Sequence, residues 1–213
     1  MKFSILFALT IFLSSPLYSQ ESKMAIEIYG GPTLSSITTS NALTEIKSRN
    51  GFDFGLNVGY QLSTIFSIHT GLIFERKGGI TTNGSGIPQD NWDSEDWNLD
   101  YLILPLSVRA SVGKKIRAFG EAGMYAAFLT SSKVKLLSYD DELMDTISFD
   151  KLGNGTDYGF LAGLGMVVPL NDKLSVVPRG KIAVGLTDFR KDYPYDFEKN
   201  RSFSLVIGVN YKL

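Results

Sequence analysis

Hydrophobic and polar residues alternate along most of this chain, and the alternation is sharpest at its end. From Ser202 to Leu213, the residues Phe203, Leu205, Ile207, Val209, Tyr211 and Leu213 share one parity. Ser202, Ser204, Gly208, Asn210 and Lys212 share the other, with Val206 the one exception. A period of two sends successive side chains to opposite faces, so the stretch reads as a strand with one apolar and one polar face.

Seven earlier segments repeat the pattern, predicting eight strands in all. They are Met24–Leu34, Phe52–Leu62, Ile65–Glu75, Leu99–Val112, Ile116–Leu129, Asp157–Val168 and Leu174–Leu186. Phe52–Leu62 is the cleanest, with Phe52, Phe54, Leu56, Val58, Tyr60 and Leu62 set against Asp53, Gly55, Asn57, Gly59 and Gln61. Ile116–Leu129 is weaker, because small residues occupy both faces.

The connections alternate as strictly as the residues. Ser63–Thr64, Gly113–Lys115 and Asn171–Lys173 read as tight hairpin turns. Ser35–Gly51, Lys77–Asn98, Thr130–Thr156 and Thr187–Arg201 read as long loops, all leaving the same end of the sheet. Loops of that length are unusual in a compact soluble domain. Short turns at one end and long loops at the other are normal for transmembrane barrels. No stretch after the first twenty residues approaches the roughly 20 apolar residues of a spanning helix, so any membrane passage requires a closed barrel.

Composition narrows the field further. The 213 residues suffice for one full domain. Cysteine is absent, which removes disulfides and thiolate metal sites, and a net charge of −1 gives no electrostatic case for nucleic acid. Residues 1–20 read as a signal peptide: Lys2 is followed by the apolar run Phe3–Leu13, then by Ser14, Ser15 and Pro16 ahead of a cleavage point near Ser19 or Gln20. Residues 21–213 then form the barrel domain, exported and placed in the cell outer membrane.

Alternation alone does not say which face meets lipid, since a soluble lipocalin-like barrel alternates with its apolar face inward. Three features favour apolar-out. The polar parity carries Glu27, Asp53, Glu75, Glu121 and Asp157 against Arg109, Arg117, Arg179, Lys181 and Lys212, a set that could pair in an interior. That parity is also rich in glycine, as a narrow lumen requires. Phe52, Tyr60, Phe74, Tyr101, Phe128, Tyr158, Phe203 and Tyr211 recur near strand ends, where interfacial girdles belong.

The segments NLDYLILPLSVRA, FGEAGMYAAFL, TDYGFLAGLGMVV and SLVIGVNYKL resemble the porin-family, PorT-like outer-membrane β-barrel domain common in Bacteroidetes. The resemblance extends over essentially the whole chain after the signal and implies an all-β fold, an eight-stranded antiparallel up-and-down barrel. It carries over no functional residue. Pro105 breaks a ladder hydrogen bond in a sheet without edges, so a bulge or kink is expected there.

Candidate chemistry is sparse. His69, the sole histidine, is expected on the inward face beside Glu75 and Glu27, where it reads as a packing residue rather than a general base. Asp90–Trp97 concentrates acids and both tryptophans but lacks the spacing of a calcium loop. Asp188, Asp192, Tyr193, Tyr195 and Asp196 form a second acidic-aromatic patch. Both read as solvated loops, and no residue is assigned a catalytic, cofactor-binding or metal-binding role. The expectation is a monomeric, non-enzymatic barrel with a side-chain-filled lumen. Its partners would be outer-membrane lipid and, through the long loops, an envelope protein or extracellular ligand. The competing readings are a lipid-modifying enzyme, for which Ser or Thr beside His69 would be the sign, and the soluble barrel.

Overall fold

The computed structural model describes residues 23–39, 44–83, 94–138, 142–149, 155–188 and 198–213. The proposed signal peptide lies outside them. The described chain forms ten strands: β1 (Met24–Thr39), β2 (Thr44–Lys47), β3 (Arg49–Gln61), β4 (Phe66–Asn83), β5 (Ser94–Val112), β6 (Arg117–Leu137), β7 (Leu143–Phe149), β8 (Thr156–Pro169), β9 (Leu174–Gly185) and β10 (Glu198–Lys212).

Eight of them close a barrel. Every pairing is antiparallel and runs in the circular order β1-β3-β4-β5-β6-β8-β9-β10, with β1 closing on β10 from Ala25↔Lys212 to Thr39↔Glu198. The all-β, eight-stranded antiparallel barrel read from the sequence is therefore the fold. The three tight turns lie at one end, with Gly113 taking a φ of 122° in the second of them. β2 and β7 are additions at the other end. β2 pairs with the far part of β4, continuing the line of β3, and β7 pairs with the far part of β6.

The apolar parity faces outward. Phe54, Leu56, Leu72, Leu104, Leu106, Phe160, Leu164, Leu205 and Ile207 are exposed around the wall, Leu164 at 74%. A soluble barrel with an apolar cavity is thereby overturned, since water would meet this whole surface. Phe52, Phe128, Tyr158 and Phe203 ring the loop end of the belt, and Tyr60, Phe66 and Tyr211 ring the turn end. Phe52 stacks on Phe74 at 5.5 Å, and the Arg76 guanidinium caps the Phe52 ring at 5.1 Å. Tyr101, expected in a girdle, instead points into the lumen and is 2% exposed.

The strands run much farther than the belt. A tilted spanning strand needs about 9–11 residues, whereas β4, β5 and β6 have 18, 19 and 21. Residues read as the loops Ser35–Gly51, Lys77–Asn98, Thr130–Thr156 and Thr187–Arg201 thus supply strand over Ser35–Thr39, Arg49–Gly51, Lys77–Asn83, Ser94–Asn98, Thr130–Leu137, Thr156 and Glu198–Arg201, besides β2 and β7. Beyond the lipid, β2, β4, β5, β6 and β7 make a raised wall on one side of the barrel mouth.

Pro105 is accommodated without the expected bulge. The β4–β5 ladder is paired at Thr70↔Leu106 and again at Ile73↔Ile103 in the same register, with a gap between. Thr70 Oγ1 donates to the Pro105 carbonyl at 2.8 Å across that gap. Pro32 and Pro178 face identical gaps, between Gly30↔Ile207 and Thr33↔Ser204 and between Gly165↔Arg179 and Val168↔Val176. Each proline keeps its other ladder, at Pro105↔Tyr125, Pro32↔Phe52 and Pro178↔Ile207, so the missing N–H falls on one side only. The register shift in β5 lies elsewhere, between Asp100 and Tyr101 against β6.

Candidate functional site

The polar parity of every barrel strand converges on the lumen, where three layers follow one another along the axis. In the turn-side layer, Glu27 of β1 lies between two arginines: Arg179 Nη1 at 2.8 Å and Arg109 Nη1 at 3.6 Å. Arg109 also holds Glu121 Oε2 through Nε at 3.1 Å and Nη2 at 2.9 Å. The flat guanidinium faces stack on aromatic rings, Arg109 over Phe119 at 4.0 Å and Arg179 over Tyr29 at 4.1 Å.

The middle layer pairs Lys181 Nζ with Asp53 Oδ2 at 2.5 Å, and Lys77 Nζ with Glu75 Oε2 at 3.7 Å. Hydroxyls knit it to the wall, Ser204 donating to Thr33 Oγ1 at 3.0 Å. Lys77 sits within 4.7 Å of the Tyr125 ring and 5.7 Å of the Tyr101 ring. Tyr125 in turn donates to Asp157 Oδ2 at 3.2 Å, and Asn200 Nδ2 donates to Tyr101 Oη at 3.2 Å.

The third layer is apolar and seals the loop end. Ile37, Trp97, Leu99, Val134 and Leu136 are buried on the inner face of the raised wall, with Ile46 and Leu129 packed against them. Gly79 allows the closure: a Cβ there would lie 3.1 Å from the Ile37 backbone N, so β1 leans across the mouth onto β4. At the loop end, apolar packing thus lies over the ion-paired layers.

Eight of the ten lumen charges read from parity are inside and buried: Glu27, Asp53, Glu75, Glu121, Asp157, Arg109, Arg179 and Lys181. Two are not. Lys212 is exposed at the turn end, and Arg117 reaches the Thr64 carbonyl across the neighbouring turn at 2.5 Å. Lys77, read as loop, is the buried cation that sequence reasoning missed. Its signal was present, because Lys77 continues the parity of Glu75, but the strand was ended at Glu75, two residues short of it.

His69 faces the lumen at 7% exposure, with Ser67 Oγ 2.9 Å from its Nε2. Glu75, expected beside it, lies farther along β4 and meets Lys77, while Glu27 is engaged by the two arginines. The Ser67–His69 pair resembles the first two members of a hydrolytic triad. Ser67 is however only 6% exposed, and the far nitrogen, His69 Nδ1, contacts no carboxylate that would orient the ring. Of Asp90–Trp97, Ser94–Trp97 belong to β5. Trp97 is buried and donates to Glu95 Oε2 at 3.1 Å, and Asp96 pairs with Arg49 at 2.5 Å. Asp90–Asp93 lie outside the described residues, as do Asp192, Tyr193, Tyr195 and Asp196.

A family model for the outer membrane protein beta-barrel domain matches residues 18–213. The chain belongs to that family. Its members are outer-membrane barrels, in agreement with the lipid belt. No curated protein matches in sequence. Among solved structures, the barrel is similar to neisserial surface protein A at a TM-score of 0.55, with 12% identity over 90% of this chain and 98% of that one. It is similar to the outer membrane protease OmpT from Escherichia coli at a TM-score of 0.50, with 10% identity over 94% of this chain and 99% of that one. One fold thus serves a surface protein and a protease, and such distant likeness speaks for the fold alone.

Proposed function

We propose that this family member is a non-enzymatic surface protein, its lumen structural and its raised wall the contact surface for an extracellular or envelope protein. The observation that carries the reading is the contrast between a packed, ion-paired lumen and a wall that continues far past the lipid. A wall of β4, β5 and β6 lengthened by β2 and β7 is more sheet than anchoring needs. On the loop side of the belt, β7 exposes three large apolar side chains, Leu143, Met144 and Ile147. The PorT-like character of the segments favours a secretion-accessory partner over a host ligand, by analogy of family alone.

A photo-crosslinking residue at Ile147, introduced in living cells, tests the reading. Protein adducts at Ile147, none at Lys114 in a tight turn, and neither fatty-acid release from phospholipid vesicles nor steady conductance are the expected outcome. Fatty-acid release dependent on Ser67 and His69 would replace this function with the lipid-modifying one.

A further inference from the structure

We infer that Lys181 and Asp53 join covalently, their side chains condensing to an amide that staples β9 to β3 across the lumen. Among the described residues the buried cations are Lys77, Arg109, Arg179 and Lys181. An arginine keeps its proton inside a protein and is no nucleophile, which leaves the two lysines. Lys77 Nζ is 3.7 Å from Glu75 Oε2, two residues away on the same strand. Lys181 Nζ is 2.5 Å from Asp53 Oδ2, on a strand distant in sequence, and both groups are buried. Asp53 Oδ2 accepts no aligned hydrogen bond despite that approach, so the nitrogen is held against the carboxyl group without hydrogen-bond geometry. The sheet clears the way between them. Asp53 is opposite Gly31 in the β1–β3 ladder, and Lys181 is opposite Ser204 in the β9–β10 ladder. Both ladder partners are small, so the long lysine side chain crosses β10 and β1 to reach the carboxyl group.

Glu75 completes the reactive set. It stands directly opposite Asp53 in the β3–β4 ladder, is buried, and lies near enough for its charge to act on Asp53 and Lys181 alike. The Glu75 carboxylate takes one proton from the Lys181 ammonium, which frees the nitrogen lone pair. That nitrogen attacks Asp53 Cγ, a C–N bond forms, and the bond from Cγ to one carboxyl oxygen breaks. A second ammonium proton and the proton held by Glu75 leave with that oxygen as water. Glu75 is then a carboxylate again, and no oxidant or other reactant is consumed.

Burial favours the exchange. A buried ion pair carries a desolvation cost that a neutral amide does not. Groups fixed in contact also react as though at an effective concentration on the order of 10⁵–10⁸ M. Ile37, Trp97, Leu99, Val134 and Leu136 pack over this layer and oppose the return of the expelled water. Because β10 and β1 lie between β9 and β3, the amide spans the seam where the barrel closes. Closure held by a ladder of hydrogen bonds thereby becomes covalent.

Peptide mapping of the whole chain, extracted from outer membranes and digested with trypsin, tests the staple. Trypsin should not cut after Lys181, and residues 50–76 should emerge joined to residues 180–190, lighter than the two together by one water molecule. Asp53→Asn should give the same branched peptide, with ammonia leaving in place of water. Lys181→Arg should give none, because it keeps the charge but not the nucleophile. Glu75→Gln should lose the branched peptide while the unboiled protein still migrates as a folded barrel on SDS gels, which separates proton transfer from folding. If these variants fail to assemble, the map of the native protein decides alone. Cleavage after Lys181 in the native protein, with residues 50–76 released unlinked, would overturn the proposal. So would a branched peptide that persists in Lys181→Arg, and equal linkage in folded Glu75→Gln would remove Glu75 from the reaction.

Discussion

Glu27 shows how an ionisable residue survives inside a barrel. Its carboxylate is 1% exposed, and two guanidiniums approach it from β5 and β9. Desolvating such a group is costly, and only close partners offset the cost. Removing one member of a buried set leaves the others uncompensated, so Glu27→Gln should destabilise the barrel by about 3–5 kcal/mol. Urea unfolding in lipid vesicles measures this, and an effect below about 1 kcal/mol, the scale of an exposed pair, would show that the arginines do not depend on Glu27. The outer face obeys the opposite rule. Leu56→Arg and Leu164→Arg place a charge in mid-belt and should each cost about 2–4 kcal/mol in the same assay. Unchanged folding of both in bilayers would mean that the belt does not face lipid.

At the scale of strands, closure rests on how the β1–β10 seam tolerates Pro32. The gap opposite Pro32 brings the Leu205 carbonyl directly against Gly31, and a Cβ at that position would overlap the oxygen. Gly31→Val should therefore fail to assemble, seen as loss of the faster-migrating band of the unboiled protein on SDS gels. Gly30→Val is its control, because the nearest atom to a Cβ there is 3.4 Å away, on the Phe54 ring. β7 behaves differently. Among the described residues it pairs with β6 alone, and its described side chains are exposed, so the barrel should not depend on it. Replacing residues 139–149 with a short Gly-Ser linker should leave the gel shift intact while removing the crosslinks proposed at Ile147.

For the whole molecule, the order of the layers predicts electrical behaviour. Apolar packing by Ile37, Trp97, Leu99, Val134 and Leu136 lies in series with the ion-paired layers, so planar bilayers should show no steady conductance from the intact protein. Trp97→Ala combined with Leu99→Ser thins the apolar layer and should produce brief openings, because the polar layers beneath then meet water. Openings of equal size in the intact protein would show that the seal is not the limiting barrier.

Much of this was legible in the residues. Parity alone put Glu27, Asp53, Glu75, Glu121, Asp157, Arg109, Arg179 and Lys181 inside, because a strand has only two faces and lipid tolerates one kind of residue. It also placed Val206, the exception in the last strand, among polar neighbours, where it is 4% exposed. Where strands ended was less legible. Lys77 was cut off because Arg76 and the glycines Gly78 and Gly79 interrupt the alternation around it, yet beyond the lipid belt a strand needs no apolar outer face, so Asp96, Lys133 and Lys135 remain in the sheet. Alternation signals burial against lipid, and it falls silent where strands rise into water.

The sequence by itself determined the barrel, its strand count, its orientation toward lipid and the end from which the long connections leave. Each follows from local spacing repeated eight times. The tertiary structure alone decided which charges meet, since Arg179 and Glu27 lie in β9 and β1 and touch only after the barrel closes. It alone decided that β1 leans across the mouth onto β4. Those outcomes depend on stagger between strands distant in sequence, and periodicity within one strand carries no record of its neighbours' register.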